Sequence, residues 1–171
     1  MSRIAGSSRD VAMLGMRRQA IPVLSTLAAT LLDALPIVVQ TPLIPDFAFL
    51  VLICWRLLRP EIWPAHAALP LGFFNDLIAG HPLGQSMALW TITFLVIELI
   101  ESRTGWRDYW VDWLLAAAAI LFHSFGGWFV ARTMGSQTAF AVMLPQYVLS
   151  AFAYPLVARL VLALDRWRLS R

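Results

Sequence analysis

The chain has 171 residues, 60% of them hydrophobic and 13% charged, with a formal net charge of +3. Soluble domains carry about 45–50% apolar and about 25% charged residues, so this composition excludes a disordered chain, a coiled coil and an ordinary globular enzyme. It leaves a polytopic membrane protein, and at about 20 residues per helical span the length allows about six spans and no separate soluble domain.

Residues 1–20 form a polar, basic leader with Arg3, Arg9, Arg17 and Arg18. The first apolar stretch, Ile21 to Gln40, exceeds the h-region of about 7–15 residues in a secretory signal, and no clean Ala-x-Ala site follows. It is expected to be an uncleaved first helix. A proline-rich turn from Thr41 to Pro45 leads into a short second helix, Asp46 to about Arg59. Asp46 beside Pro45 suits a helix start, because an acidic group complements the N-terminal dipole and proline belongs near the first turn. Pro60 stops that helix, and a third is expected from about Glu61 to Gly80. After the turn His81-Pro82-Leu83-Gly84-Gln85, a fourth helix runs from Ser86 to Glu101. A polar loop at 102–108 precedes a fifth, Tyr109 to Ala131. The last runs from Thr138 to about Leu164, and Pro145 and Pro155 are expected to kink it.

The predicted fold class is all-α, a polytopic membrane protein of six transmembrane helices. A cytoplasmic leader at 1–20 and a cytoplasmic tail at 165–171 flank the six-helix domain at 21–164. With the N-terminus inside, twelve arginines fall in cytoplasmic segments and Arg132 alone falls outside. That asymmetry orients both termini to the cytoplasm, and an odd number of helices would spoil it. Trp63, Trp90, Trp106, Trp110, Trp128 and Trp167 fall near the expected span ends, as an interfacial belt should. All 13 basic residues are arginine, scattered at segment ends rather than gathered in a patch, so nucleic-acid binding has little support.

Asp33, Asp76, Glu98, His123 and Arg159 are the ionisable groups within or near the spans, where each needs a partner or a function. Gly72, Asp76 and Gly80 are spaced by four and share one helical face, on which small residues let a neighbouring helix approach. Asp76 is expected either to staple the fold, by capping the following turn or bonding a neighbouring helix, or to serve a ligand or partner site. Asp112, Ala116, Ala119, His123 and Gly126-Gly127 form a similar stripe on the fifth helix. His123 is read as a satisfied buried histidine rather than a metal ligand, because no second ligand stands at suitable spacing. Glu98 and Glu101 are expected to snorkel or to pair with Arg103 or Arg107. The lone Cys54 permits neither a disulfide framework nor a cysteine metal site.

Gly84-Gln85-Ser86 invites comparison with serine hydrolases, but Met87 and Ala88 break the Gly-x-Ser-x-Gly elbow. No Walker loop and no His-Glu-x-x-His are present. The sequence points to no enzyme, no cofactor and no metal.

Pro45-Asp46-Phe47 opens a helix, Trp55 and Pro60 stand at its far end, and Gly72-x-x-x-Asp76-x-x-x-Gly80-x-Pro82-Leu83-Gly84 follows. Together these residues resemble MreD, the small integral membrane subunit of the bacterial rod-shape system. The resemblance covers length, span pattern and above all residues 45–84; the leader and the last two helices match in character only. It implies a non-catalytic, multi-pass protein of the inner membrane that works beside MreC, the MreB filament, and RodA with its class B penicillin-binding transpeptidase. It also implies a six-helix fold similar to the S components of energy-coupling-factor vitamin transporters. The interaction or structural candidates are Pro45, Asp46, Gly72, Asp76, Gly80, Pro82, Gly84, His123, Gly126 and Gly127. The faces around Gly72, Gly80 and Gly126-Gly127 are expected to pack the chain's own helices or the transmembrane helix of MreC. Membrane lipid is the partner expected for the cytoplasmic arginines.

A different class of function is an S component that binds a vitamin-like molecule at the outer face, with Asn75, Asp76 and His81 as polar contacts. The first helix lacks the Ala-x-x-x-Ala pair by which such components resemble one another, and pocket-lining polar residues look few.

Overall fold

A computed structural model of the chain describes residues 8–33, 44–103 and 108–169. The end of the first expected span, 34–40, and Trp106 lie outside the described residues. Among the described residues there are six α-helices, two short 3-10 turns and no strand. The helices are α1 (Ser8–Asp33), α2 (Phe47–Leu58), α3 (Ala68–Ala79), α4 (Gln85–Arg103), α5 (Tyr109–Thr133) and α6 (Leu144–Leu169).

Several boundaries differ from the sequence expectation, and α6 runs on to Leu169 into the expected tail. Helix α1 begins at Ser8, so the expected leader is helical from that point and continuous with the first apolar stretch. It passes through Pro22, whose carbonyl is taken up by the hydroxyls of Ser25 and Thr26 at 2.9 and 3.0 Å. Helix α3 begins at Ala68 rather than near Glu61, because Pro60 and Pro64 hold the intervening chain in turns and a 3-10 turn at Ala65–Ala67. Pro145 is the second residue of α6, where a proline starts a helix instead of kinking it; Pro155 alone lies inside.

Helix α2 is the centre of the bundle. Every residue from Ala48 to Leu57 is buried, on all sides of the helix. A helix that is apolar all round must be enclosed by others, and α2 is packed against α1, α5 and α6. Helix α3 lies against α4 and α1, and α4, α5 and α6 pack in sequence. The largest fully buried side chains are Trp55, Trp90, Tyr154, Phe49 and Phe94. Trp63 and Trp90 therefore belong to the core and not to an interfacial belt, whereas Trp110 and Trp167 are exposed.

The exterior is apolar too. Leu114, Phe152, Leu156 and Leu160 are each more than half exposed, a surface that would promote aggregation in water. Two helical stretches, Tyr109–Thr133 and Phe140–Leu169, are long and apolar enough to cross a membrane. At 12 residues each, α2 and α3 extend about 18 Å, against a hydrocarbon core of about 30 Å.

Candidate functional site

The bundle has two chemically different ends. At one, α1, α3 and α5 finish and α2, α4 and α6 begin; at the other the reverse holds. The candidate residues from the sequence concentrate at the first end.

The α3–α4 hairpin accounts for five of them. Asp76 Oδ2 accepts a hydrogen bond from the Gly84 N–H at 2.9 Å, and Oδ1 accepts one from the Ser86 N–H at 2.8 Å. The carboxylate thus caps α4 from one turn before the end of α3, using donors that a helix N-terminus leaves free. Gly72 faces the start of α4 so closely that a Cβ there would lie 2.6 Å from the Met87 nitrogen. Gly80 does something other than the close approach expected from its spacing. It ends α3 in the left-handed region at φ 72°, and nothing lies within 4 Å of where its Cβ would be. Gly84 likewise takes φ 96°, and the Pro82 carbonyl accepts the Gln85 N–H at 3.0 Å to close the turn. Glycine is required at both positive-φ positions because a Cβ there is strained. Asn75 Nδ2 donates to Ser86 Oγ at 2.9 Å, completing the joint.

A second joint ties α1, α2 and α5 together. Asp46 follows Pro45 as the N-cap of α2, and its Oδ1 accepts the Phe49 N–H at 2.8 Å. Its Oδ2 lies 2.9 Å from His123 Nε2, and the imidazole stacks on the Phe49 ring with centroids 4.3 Å apart. Asp33, at the end of α1, accepts the Phe47 and Ala48 N–H groups at 3.1 and 2.8 Å. The partner of Asp33, which its sequence context left open, is the backbone of α2. Gly126 meets the Leu89 side chain, and Gly127 lies against Gln85. Gly72 and Gly126 are therefore covered by α4 of the same chain, whereas Gly80 and Gly127 line a cavity.

Above His123 a cavity of about 670 Å³ opens among α2, α4, α5 and α6. Its floor carries Phe49, Ile120 and Ser150, and its walls include Trp128 and Gln146. Ser86 and His123 form no catalytic pair: Ser86 is bonded to Asn75, and His123 Nε2 to Asp46. Among the described residues no group of three His, Cys, Asp or Glu is placed to hold a metal ion.

A family model described as rod shape-determining protein MreD matches residues 17–165. The chain belongs to the MreD family. No curated protein and no solved structure matches it. The family assigns a role in rod-shape determination and places the chain among structural membrane proteins. In this MreD-family fold, the glycine–aspartate–glycine stretch from Gly72 to Gly84 builds one helical hairpin.

The opposite end holds the cationic joints. Arg56, only 3% exposed, donates to Glu101 at 2.7 Å and lies over the Phe94 ring. Arg59 reaches Asp165 at 2.6 Å, and Arg168 pairs with the same carboxylate while covering Trp55. The hydrogen bonds that Arg59 donates to Asp165 hold its guanidinium above its ordinary pKa, against the opposing effect of partial burial. The sequence paired Glu101 with Arg103 or Arg107; Arg107 lies outside the described residues, and Glu101 also accepts from Arg56, 45 residues away in the chain. Sequence reasoning also missed Gln85, Ser124, Gln146 and Ser150 around the cavity. Neutral polar residues carry no signal until three helices bring them together.

Proposed function

We propose that the chain is a non-catalytic scaffold of the cell-elongation machinery in the bacterial inner membrane. It binds MreC and helps couple MreB filaments to lateral peptidoglycan synthesis by RodA and its class B transpeptidase. The observation that carries this reading is the MreD family match over residues 17–165. The geometry supports it: Asp33, Asp46, Asp76, Glu101 and Asp165 are all engaged in holding one helix to another. The chain spans the membrane six times with both termini cytoplasmic, the domain between 21 and 164 flanked by a leader and a tail. In support, Arg56, Arg59, Arg103, Arg159, Arg166 and Arg168 lie towards one end and Arg132 lies at the other. The short helices α2 and α3 fit such a domain because α2 is enclosed by protein and needs no match to lipid thickness.

With Gly72 and Gly126 covered by α4, the MreC helix docks elsewhere. A shallow apolar groove of about 200 Å³ runs between α4 and α5, lined by Val96, Ile100, Ala118 and Phe122 among others. Its small and branched side chains suit a helix packing in lipid. The arginine-rich end, beside anionic headgroups, faces MreB.

Co-purification with MreC from detergent, combined with a photo-crosslinker at Val96 or at Leu160 on the far face of α6, tests both parts. MreC is expected to be captured and to crosslink from Val96 and not from Leu160. A folded chain that captures no MreC overturns the scaffold; crosslinks from Leu160 alone overturn the groove.

A further inference from the structure

The scaffold role leaves unused the cavity at the α2, α4 and α6 N-terminal end. We propose that it is a binding site for an uncharged, ring-bearing organic molecule carrying amide or hydroxyl groups. This is a property separate from MreC capture.

Size comes first. A volume of about 670 Å³ falls within the range of about 300–1,000 Å³ typical of small-molecule sites. Next is charge. Among the described residues that line the cavity there is no arginine, and the chain has no lysine. A phosphate or carboxylate would find no permanent cation there. A cationic ligand fares no better. The one carboxylate in the lining, Asp46, gives one oxygen to the Phe49 N–H and the other to His123. The neighbouring Asp33 gives both of its oxygens to the Phe47 and Ala48 N–H groups. His81 lies 3.5 Å from Ser86 Oγ and is the second imidazole in the lining.

What the cavity does offer is neutral. Gln85 from α4, Ser124 from α5, and Gln146 and Ser150 from α6 line it. Among the described residues, none of these four side chains makes a hydrogen bond to another part of the protein. Two amides and two hydroxyls from three helices supply both donors and acceptors. Ser150 is buried and Gln85, Ser124 and Gln146 are half-buried, so their polar atoms are free to bond a molecule seated in the cavity. Two aromatic groups complete the site. Trp128 is held by a 2.8 Å hydrogen bond from its indole N–H to the Thr138 carbonyl, and Phe49 is held by its stack on His123. Fixed rings of this kind present flat faces to a planar molecule.

The test uses the full chain in lipid nanodiscs and three matched pairs: nicotinamide with nicotinate, adenosine with its 5′-monophosphate, and riboflavin with its 5′-phosphate. Thiamine serves as the cation. Equilibrium dialysis should find at least one neutral member bound, with its anionic counterpart about tenfold weaker or absent. Gln146→Ala and, separately, Ser150→Ala should weaken that binding about three- to tenfold while the melting temperature and MreC capture stay unchanged. Binding of none of the neutral compounds, equal or better binding of an anion, preference for thiamine, or indifference to both substitutions in folded protein each overturns the proposal. MreC capture by the same preparations reports on the scaffold independently.

Discussion

Asp76 and Gly72 secure the same pair of helices by opposite means, one by supplying an acceptor and the other by supplying nothing. Asp76→Ala removes the acceptor for two N–H groups at the start of α4 and is expected to cost about 1–2 kcal/mol. Asp76→Asn, which keeps one acceptor oxygen, should recover part of that loss; thermal unfolding in detergent measures both. Gly72→Ala places a methyl 2.6–2.7 Å from the backbone of Ser86 and Met87, where no side chain can swing aside. An overpacking cost of about 1–3 kcal/mol follows. Gly126→Ala meets only the tip of the Leu89 side chain, so it should be the milder change. Equal effects of the two alanines would contradict the close approach of α3 to α4.

Among the elements, α2 and its partners show which parts of the architecture were legible. Asp46 after Pro45 announced a helix start, and the observed N-cap is that residue, because capping is local chemistry. The α3–α4 hairpin was legible as a pattern, while the separate tasks of Gly72 and Gly80 were not. Helical spacing puts both on one face, but only the backbone shows that Gly80 already sits beyond the helix end at φ 72°. The joint between Arg56 and Glu101 was illegible, since it links α2 to α4 across 45 residues. That joint makes its own prediction. Glu101→Gln leaves an arginine that is 3% exposed without its carboxylate, and breaking a buried pair from one side costs about 3–5 kcal/mol. The double variant Arg56→Met with Glu101→Gln should restore most of the loss, and SDS-titration unfolding of the three proteins tests it. A single variant as stable as the parent would show the pair to be dispensable.

At the scale of the molecule, the two ends carry different chemistry and the proposed topology assigns them to different compartments. Cys54 is the chain's one cysteine and is fully buried, so single cysteines can be added against a quiet background. Leu83, 70% exposed in the α3–α4 turn, marks the cavity end, and Asp108 before α5 marks the arginine end. A membrane-impermeant maleimide should label Leu83→Cys in intact spheroplasts and Asp108→Cys only after permeabilisation. The reverse pattern would turn the molecule over and open the cavity to the cytoplasm. The neutral lining of the cavity was beyond the reach of the sequence, because Gln85, Ser124, Gln146 and Ser150 carry no distinctive signal alone. Asn75 and Asp76, which the sequence offered as ligand contacts, are 1% exposed and occupied within the hairpin; of that set His81 alone reaches the cavity.

The Asp33 carboxylate over the first peptide groups of α2 bears on how the chain is made. Helix α2 emerges from the ribosome after α1 and before α3 to α6, when most of what later encloses it does not exist. Twelve residues are too few to stand across a bilayer alone, and bare N–H groups at its start would each cost several kcal/mol in hydrocarbon. Asp33 is already synthesised at that point and accepts two of those groups. Under the proposed topology the first two helices are expected to enter the membrane as a latched pair, with the order of residues along the chain doubling as an assembly schedule.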